Sequence, residues 1–289
     1  MLSGIPIPKD AVRPPETVLV NITPQETRVA VLEENNICEL HIERNSGHSL
    51  VGNIYLGVVR RVLPGMQSAF IDIGLERAAF LHIVDVLEQR RNPEETQRIE
   101  HMLFEGQSVL VQVIKDPINT KGARLSTQIS LAGRFLVHLP QEDHIGISQR
   151  IEDDTERNSL RERLTNLLPE DACHGYIIRT NAENATDEQL QSDIHYLTKV
   201  WEHIQEQAKI QPPETLLYQD LPLSLRVLRD MFSLDTQKIL VDSTENHRRM
   251  TRFAEQYVHG ALGRIELFKG ERPLFETHNV EQEISRAPV

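Results

Sequence analysis

The sequence predicts an α+β fold of several domains, and three observations carry that reading. The chain has 289 residues, more than one compact core ordinarily holds. Residues 16–132 are dominated by alternating apolar and polar runs, the pattern of half-buried strands. From residue 133 onward, helical periodicity joins the strands. An apolar fraction of 39% and a charged fraction of 26% fit a folded globular chain.

Residues 1–15 hold five prolines or glycines and little periodicity, so they read as a flexible leader. Residues 16–49 read as an antiparallel meander. Val18, Val20 and Ile22 alternate with Leu19 and Asn21, Thr23-Pro24-Gln25 turns the chain, and Glu33-Glu34-Asn35-Asn36 separates the second strand from the third. Residues 50–132 read as five strands, at 50–63, 67–73, 78–83, 107–115 and 124–129. A helical stretch at 85–103 falls between the third and fourth. That order matches a small Greek-key barrel of the oligonucleotide-binding (OB) kind.

Residues 133–220 mix both patterns, with strands at 134–139 and 175–179 and a helix at 155–168. Thr186 followed by Gln189 forms a capping box. Behind it Leu190, Ile194, Leu197, Trp201 and Ile204 share one helical face, and Gln211-Pro212-Pro213 ends the helix. Residues 221–289 alternate helix (223–232), strand (238–241), helix (243–259, with Ser243 as N-cap) and strand (264–268), then run into an acidic, helix-prone tail.

Charge and composition exclude several classes. No stretch approaches the roughly 20 apolar residues of a membrane span, and the N-terminus lacks the basic-then-apolar order of a secretory signal. Cys38 and Cys173 form no CxxC pair, and the twelve histidines show no ligand spacing, so no metal site is expected and a reducing cytoplasm is the expected home. The net charge of −12 argues against nucleic acid until it is divided by region. Residues 133–220 carry 8 basic and 17 acidic groups, whereas the barrel region, 50–132, carries 9 of each. A neutral barrel can present a locally basic face.

The barrel holds the sharpest chemical signal. Ala69, Ile71 and Ile73 point to one side, and Ser68, Phe70 and Asp72 to the other. In the next strand Ala79, Leu81 and Ile83 oppose Phe80 and His82. Two phenylalanines on the wet face of adjacent strands would stack unpaired bases, or else pack beneath a loop or helix. Tyr55, counted on the face of Asn53 and Arg61, would extend the platform. Arg60, Lys115, Lys121 and Arg124 would supply phosphate contacts. A second signal is Arg179-Thr180 at a strand end, a guanidinium fork and a hydroxyl that suit a terminal phosphate, although arginine there is commonly a surface residue. No DxD, nucleophile elbow or phosphate-cradling glycine loop is present, so no catalytic residue is assigned.

The longer motifs make the chain resemble the ribonuclease E/G family, its G branch most closely. They run collinearly from Val20-Asn21-Ile22-Thr23-Pro24-Gln25 through Val51-Gly52-Asn53-Ile54-Tyr55, Arg61-Val62-Leu63-Pro64-Gly65-Met66-Gln67 and Ala69-Phe70-Ile71-Asp72-Ile73-Gly74. Ala79-Phe80-Leu81-His82, Lys121-Gly122-Ala123-Arg124-Leu125, Ser148-Gln149-Arg150-Ile151-Glu152 and Ile178-Arg179-Thr180 continue them. The resemblance implies an S1 (OB-fold) domain at 50–132, inserted in a split RNase H-like domain at 16–49 and 221–289. An α/β 5′-sensor segment would occupy 133–220.

It also implies roles. Phe70, Phe80 and Tyr55, with Lys115 and Lys121, would contact single-stranded RNA. Gly133, Val137, Arg179 and Thr180 would recognise a 5′-monophosphate, with Arg150, beside Gln149, at the pocket edge. The family reaction is Mg²⁺-dependent endonucleolytic cleavage in rRNA processing and mRNA decay. The Mg²⁺-binding aspartates belong to a further domain that the resemblance places beyond Val289, so this chain is expected to bind RNA without cutting it and to hold no cofactor. Expected partners are 5′-monophosphorylated RNA, a separately encoded catalytic fragment and a second copy of the chain. The alternative is a stand-alone RNA-binding or regulatory protein. A weaker one, an RNase H-type nuclease, requires carboxylates converging near Asn21 and Asp242.

Overall fold

The alternation that opens the chain folds as three antiparallel strands, β1 (Glu16–Ile22), β2 (Glu26–Glu33) and β3 (Asn36–Arg44). Between β2 and β3, Glu34 and Asn35 take φ values of 49° and 70°. Tight two-residue hairpins favour positive φ at both positions because it matches the twist of the strands. The structure, a computed structural model, describes residues 15–44, 49–86, 98–118, 121–169, 175–233 and 235–286. Nearly all of the expected leader, residues 87–97 of the helical stretch and Cys173 lie outside them.

The chain then builds a second unit, residues 49–220, before returning to the first. Its barrel consists of β4 (Ile54–Leu63), β5 (Ser68–Asp72), β6 (Ala79–His82), a short helix α1 (Ile99–Met102), β7 (Ser108–Lys115) and β8 (Arg124–Ser126). The strands pair in the order β4-β5-β6-β8-β7, and β7 pairs back onto β4, closing a ring of five. Every pairing is antiparallel except β6 with β8. This closed five-strand barrel is consistent with an OB-like fold. Ile71, Leu81, Val111, Val113 and Leu125 fill its interior.

A four-stranded sheet follows, made of β9 (Leu131–Ala132), β10 (Leu136–Leu139), β11 (Ile145–Ile147) and, after helix α2 (Asp154–Leu167), β12 (Gly175–Ile178). Its order is β11-β12-β10-β9. Helix α3 (Asp187–Ile210) packs on it. Its capping box forms as the spacing predicts, with Thr186 and Gln189 each accepting from the other's backbone N–H. Leu190, Leu197, Trp201 and Ile204 are buried with Leu136, Leu160 and Ile178. Strand β13 (Thr215–Tyr218) then pairs with the barrel's β4.

The return to the first unit begins with α4 (Leu223–Arg226), which runs on as a wide π-type turn over Val227–Met231 in place of one regular helix. Strand β14 (Thr236–Val241) pairs parallel with β1, α5 (Thr244–Tyr257) follows with Ser243 accepting from Asn246 N–H at 3.3 Å, and β15 (Ile265–Leu267) pairs parallel with β14. The sheet order is β15-β14-β1-β2-β3. One face is covered by α4 and α5, and the other by α6 (Leu274–Thr277) and α7 (Val280–Arg286). No helix of the described residues is long and apolar enough to cross a membrane.

Candidate nucleic-acid interface

Phe70 on β5 and Phe80 on β6 are direct cross-strand partners. Alternation sends Ala69, Ile71, Ala79 and Leu81 into the barrel, so both phenyl rings stand outside it, half-buried. The rings meet edge to face, 6.1 Å between centroids at 65°, the geometry their quadrupoles favour. They line a groove of about 790 Å³ together with Met66, Ile118, Lys115 and Lys121. Met66 and Ile118 are 61% and 63% exposed, so apolar side chains rim the open groove. Lys115 and Lys121 stand exposed beside the rings. The rings thus face a groove whose lining includes Asp116, Ile118, Lys121 and Gly122 of the connection between β7 and β8.

Three residues sit differently from the sequence reading. Tyr55 is buried within the barrel core and does not extend the platform. The β4–β5 register slips at Arg60, where Val59 opposes Ile71 but Arg61 opposes Phe70. This bulge inserts one extra residue, so counting by twos from Arg61 back to Tyr55 crosses from one face to the other. Ser68, counted on the wet face, is buried and donates to the Met66 carbonyl at 2.8 Å. Arg60 is held by Asp72 at 3.1 Å and by Glu214.

Arg124 lies at the groove floor opposite Phe80, anchored at 2.7–2.8 Å by two nitrogens on one oxygen of buried Asp85. A charge-assisted contact of this kind contributes about 1.5–3 kcal/mol. Asp85→Ala is therefore expected to lower unfolding free energy by about that amount in a urea titration. A change under about 0.5 kcal/mol would show that water replaces the carboxylate without loss.

The second constellation lies at the end of β12. Arg179 N–H donates to the Phe135 carbonyl at 2.8 Å, which carries the strand pairing one step past β12. Its guanidinium donates to the Gly133 carbonyl. Thr180 begins the following 3₁₀ turn, half-buried. Val137 on β10 is also half-buried and pairs with Ile177 and Ala132. Gly133, Val137, Arg179 and Thr180, distant in sequence, thus lie on adjoining strands and the turn at their ends. Gln149 and Arg150 are both exposed, in the turn after β11.

Sequence reading misses the residue beneath this site. Asp193 of α3 is buried, and its carboxylate accepts three successive backbone N–H groups, from Arg134 at 2.9 Å, Phe135 at 2.8 Å and Leu136 at 2.9 Å. Burial pushes its pKa above the ordinary carboxylate value, while those three bonds and the Arg179 charge pull it down. The available signal is its position. Asp193 stands three residues after Leu190 and four before Leu197, on the apolar stripe where a carboxylate needs partners.

In the first unit, Asn21 donates to Asp242 at 2.6 Å and accepts from Arg28 at 2.6 and 2.9 Å, and Arg28 pairs with Glu281 at 2.7 Å. The converging-carboxylate arrangement of an RNase H-type nuclease is not found among the described residues, since Asp242 accepts from the Asn21 amide and the Ile22 N–H, and Asn21 is held by Arg28. Among the described residues, no group of three or more His, Cys, Asp or Glu is placed to hold a metal ion.

Comparison with known proteins brings these features together. The family model for the ribonuclease E/G family matches residues 130–288. Ribonuclease G of Salmonella typhimurium (strain SL1344) is 42% identical over 277 residues, covering 93% of this chain and 56% of that protein. Ribonuclease G of Escherichia coli (strain K12) gives the same figures. Ribonuclease E of Nostoc sp. is 36% identical over 270 residues, covering 92% of this chain and 39% of that protein. The chain spans about half the length of the ribonuclease G relatives it matches.

Proposed function

The chain belongs to the ribonuclease E/G family, and from that premise we propose that it captures single-stranded RNA by two features of one unit. The barrel groove stacks unpaired bases on Phe70 and Phe80, with Lys115 and Lys121 beside the backbone. The Gly133–Val137–Arg179–Thr180 site receives a 5′-monophosphate, Arg179 supplying the charge and Thr180 the hydroxyl, with Val137 against the terminal base. The observation that carries the reading is the half-buried Phe70–Phe80 pair in a groove with basic residues beside it.

The function served is the family's, endonucleolytic cleavage in rRNA processing and mRNA decay, with this chain contributing recognition. The described residues do not suit the Mg²⁺ ion of that reaction, because Asp242 is engaged by the Asn21 amide and the Ile22 N–H, and Asn21 is in turn held by Arg28. No step is assigned through the metal here. The first unit, with β15, β14 and β1 parallel and β2 and β3 antiparallel, supports an RNase H-like reading in which it serves as scaffold.

The test is a titration with 5′-monophosphorylated and 5′-hydroxyl oligoribonucleotides at several salt concentrations. The monophosphorylated RNA is expected to bind more tightly. Three phosphate contacts, from Lys115, Lys121 and Arg179, give a slope of log K against log salt near about −2, using about −0.7 per contact for single strands. Equal affinity for both RNAs rejects the sensor. A slope steeper than about −5 would mean diffuse electrostatic binding in place of these contacts.

A further inference from the structure

We propose that Asp193 is a positioning residue for the 5′-phosphate site, holding the 133–136 turn in the shape that places the Gly133 carbonyl against Arg179. This rests on the sensor reading above and extends it to a residue outside the pocket itself. Three successive N–H groups converging on one anion form a nest, a backbone concavity that selects negative charge. Here the nest is filled from within, by a side chain of α3.

The fit is close on the other side as well. A Cβ on Gly133 would lie 2.5 Å from Asp193 Oδ2 and 2.7 Å from Oδ1, nearer than any real side chain approaches. Glycine is therefore demanded by the carboxylate and not by backbone conformation. The turn closes on itself through Gly133 N–H to the Leu136 carbonyl at 2.8 Å, and Arg179 donates to the carbonyl of the same glycine. The carboxylate, the turn and the guanidinium form one connected series. Displacing the first member moves the carbonyl that orients the last.

The test compares the wild-type chain with Asp193→Asn and Gly133→Ala, reading the ratio of affinities for 5′-monophosphorylated over 5′-hydroxyl RNA. Asp193→Asn keeps the side-chain volume but turns a donating amide toward backbone donors. Gly133→Ala pushes on the carboxylate from the opposite side. Both variants are expected to lower the ratio about tenfold, and Asp193→Asn, which lies outside the pocket, is expected to leave affinity for 5′-hydroxyl RNA, held by the barrel groove, within about twofold. A merely structural role would lower both affinities together. Thermal melting identifies a variant that fails to fold, and the other then decides. A wild-type chain without any preference overturns the sensor reading. A preference retained within about twofold by a folded variant overturns the role of Asp193 alone.

Discussion

Replacing Phe70 and Phe80 together with alanine is expected to weaken single-stranded RNA binding by about 1–3 kcal/mol for each ring that holds a base. The effect is large because little else in the barrel attracts RNA at a distance. The barrel region is neutral overall, Arg60 is held by two carboxylates, and Arg124 is anchored to Asp85. Stacking also survives salt, so the loss should persist when raised ionic strength has screened Lys115 and Lys121. The fold should tolerate the change, since neither ring enters the interior formed by Ile71, Leu81 and Val113. Fluorescence anisotropy with a labelled oligoribonucleotide measures the effect. An unchanged dissociation constant would reject the stacking role.

Alternation makes this site legible in the sequence. Once β5 and β6 are strands, a period of two leaves Phe70 and Phe80 on the face opposite Ile71 and Leu81. The same rule fails at Tyr55, because a bulge at Arg60 leaves no mark in a pattern of apolar and polar residues. The hairpin of β2 and β3 and the capping box of α3 are legible because their determinants are local: Glu34 and Asn35 in one case, Thr186 and Gln189 in the other. Strands β9, β11 and β13 are not. They are two to four residues long; β11 and β13 are strands only because partners distant in sequence, β12 and β4, pair with them, and β9 is a two-residue pairing onto the neighbouring β10. Asp193 shows a different limit. Its place on an apolar stripe is visible, but its three backbone partners lie about sixty residues away, and only the folded sheet brings them together.

Arg179→Ala is expected to abolish the preference for a 5′-monophosphate while leaving affinity for 5′-hydroxyl RNA within about twofold, because a charge-assisted phosphate contact is worth about 1.5–3 kcal/mol and only one of the two RNAs offers it. Arg179→Lys is expected to retain part of the preference, since an ammonium preserves the charge but not the planar fork that can bind the phosphate and the Gly133 carbonyl together. The alanine variant should also lose stability, with a definite pH dependence. Burial raises the Asp193 pKa and the Arg179 charge lowers it, so removing the guanidinium raises it further. The mutant then loses most stability, relative to wild type, above that raised pKa, where the carboxylate is ionised without its neighbouring cation. The difference shrinks as the pH falls and the carboxyl takes up a proton in both proteins. Binding is therefore best measured under conditions where melting shows both variants folded. A variant that stays folded and still favours the monophosphorylated RNA by the wild-type ratio would remove Arg179 from the sensor.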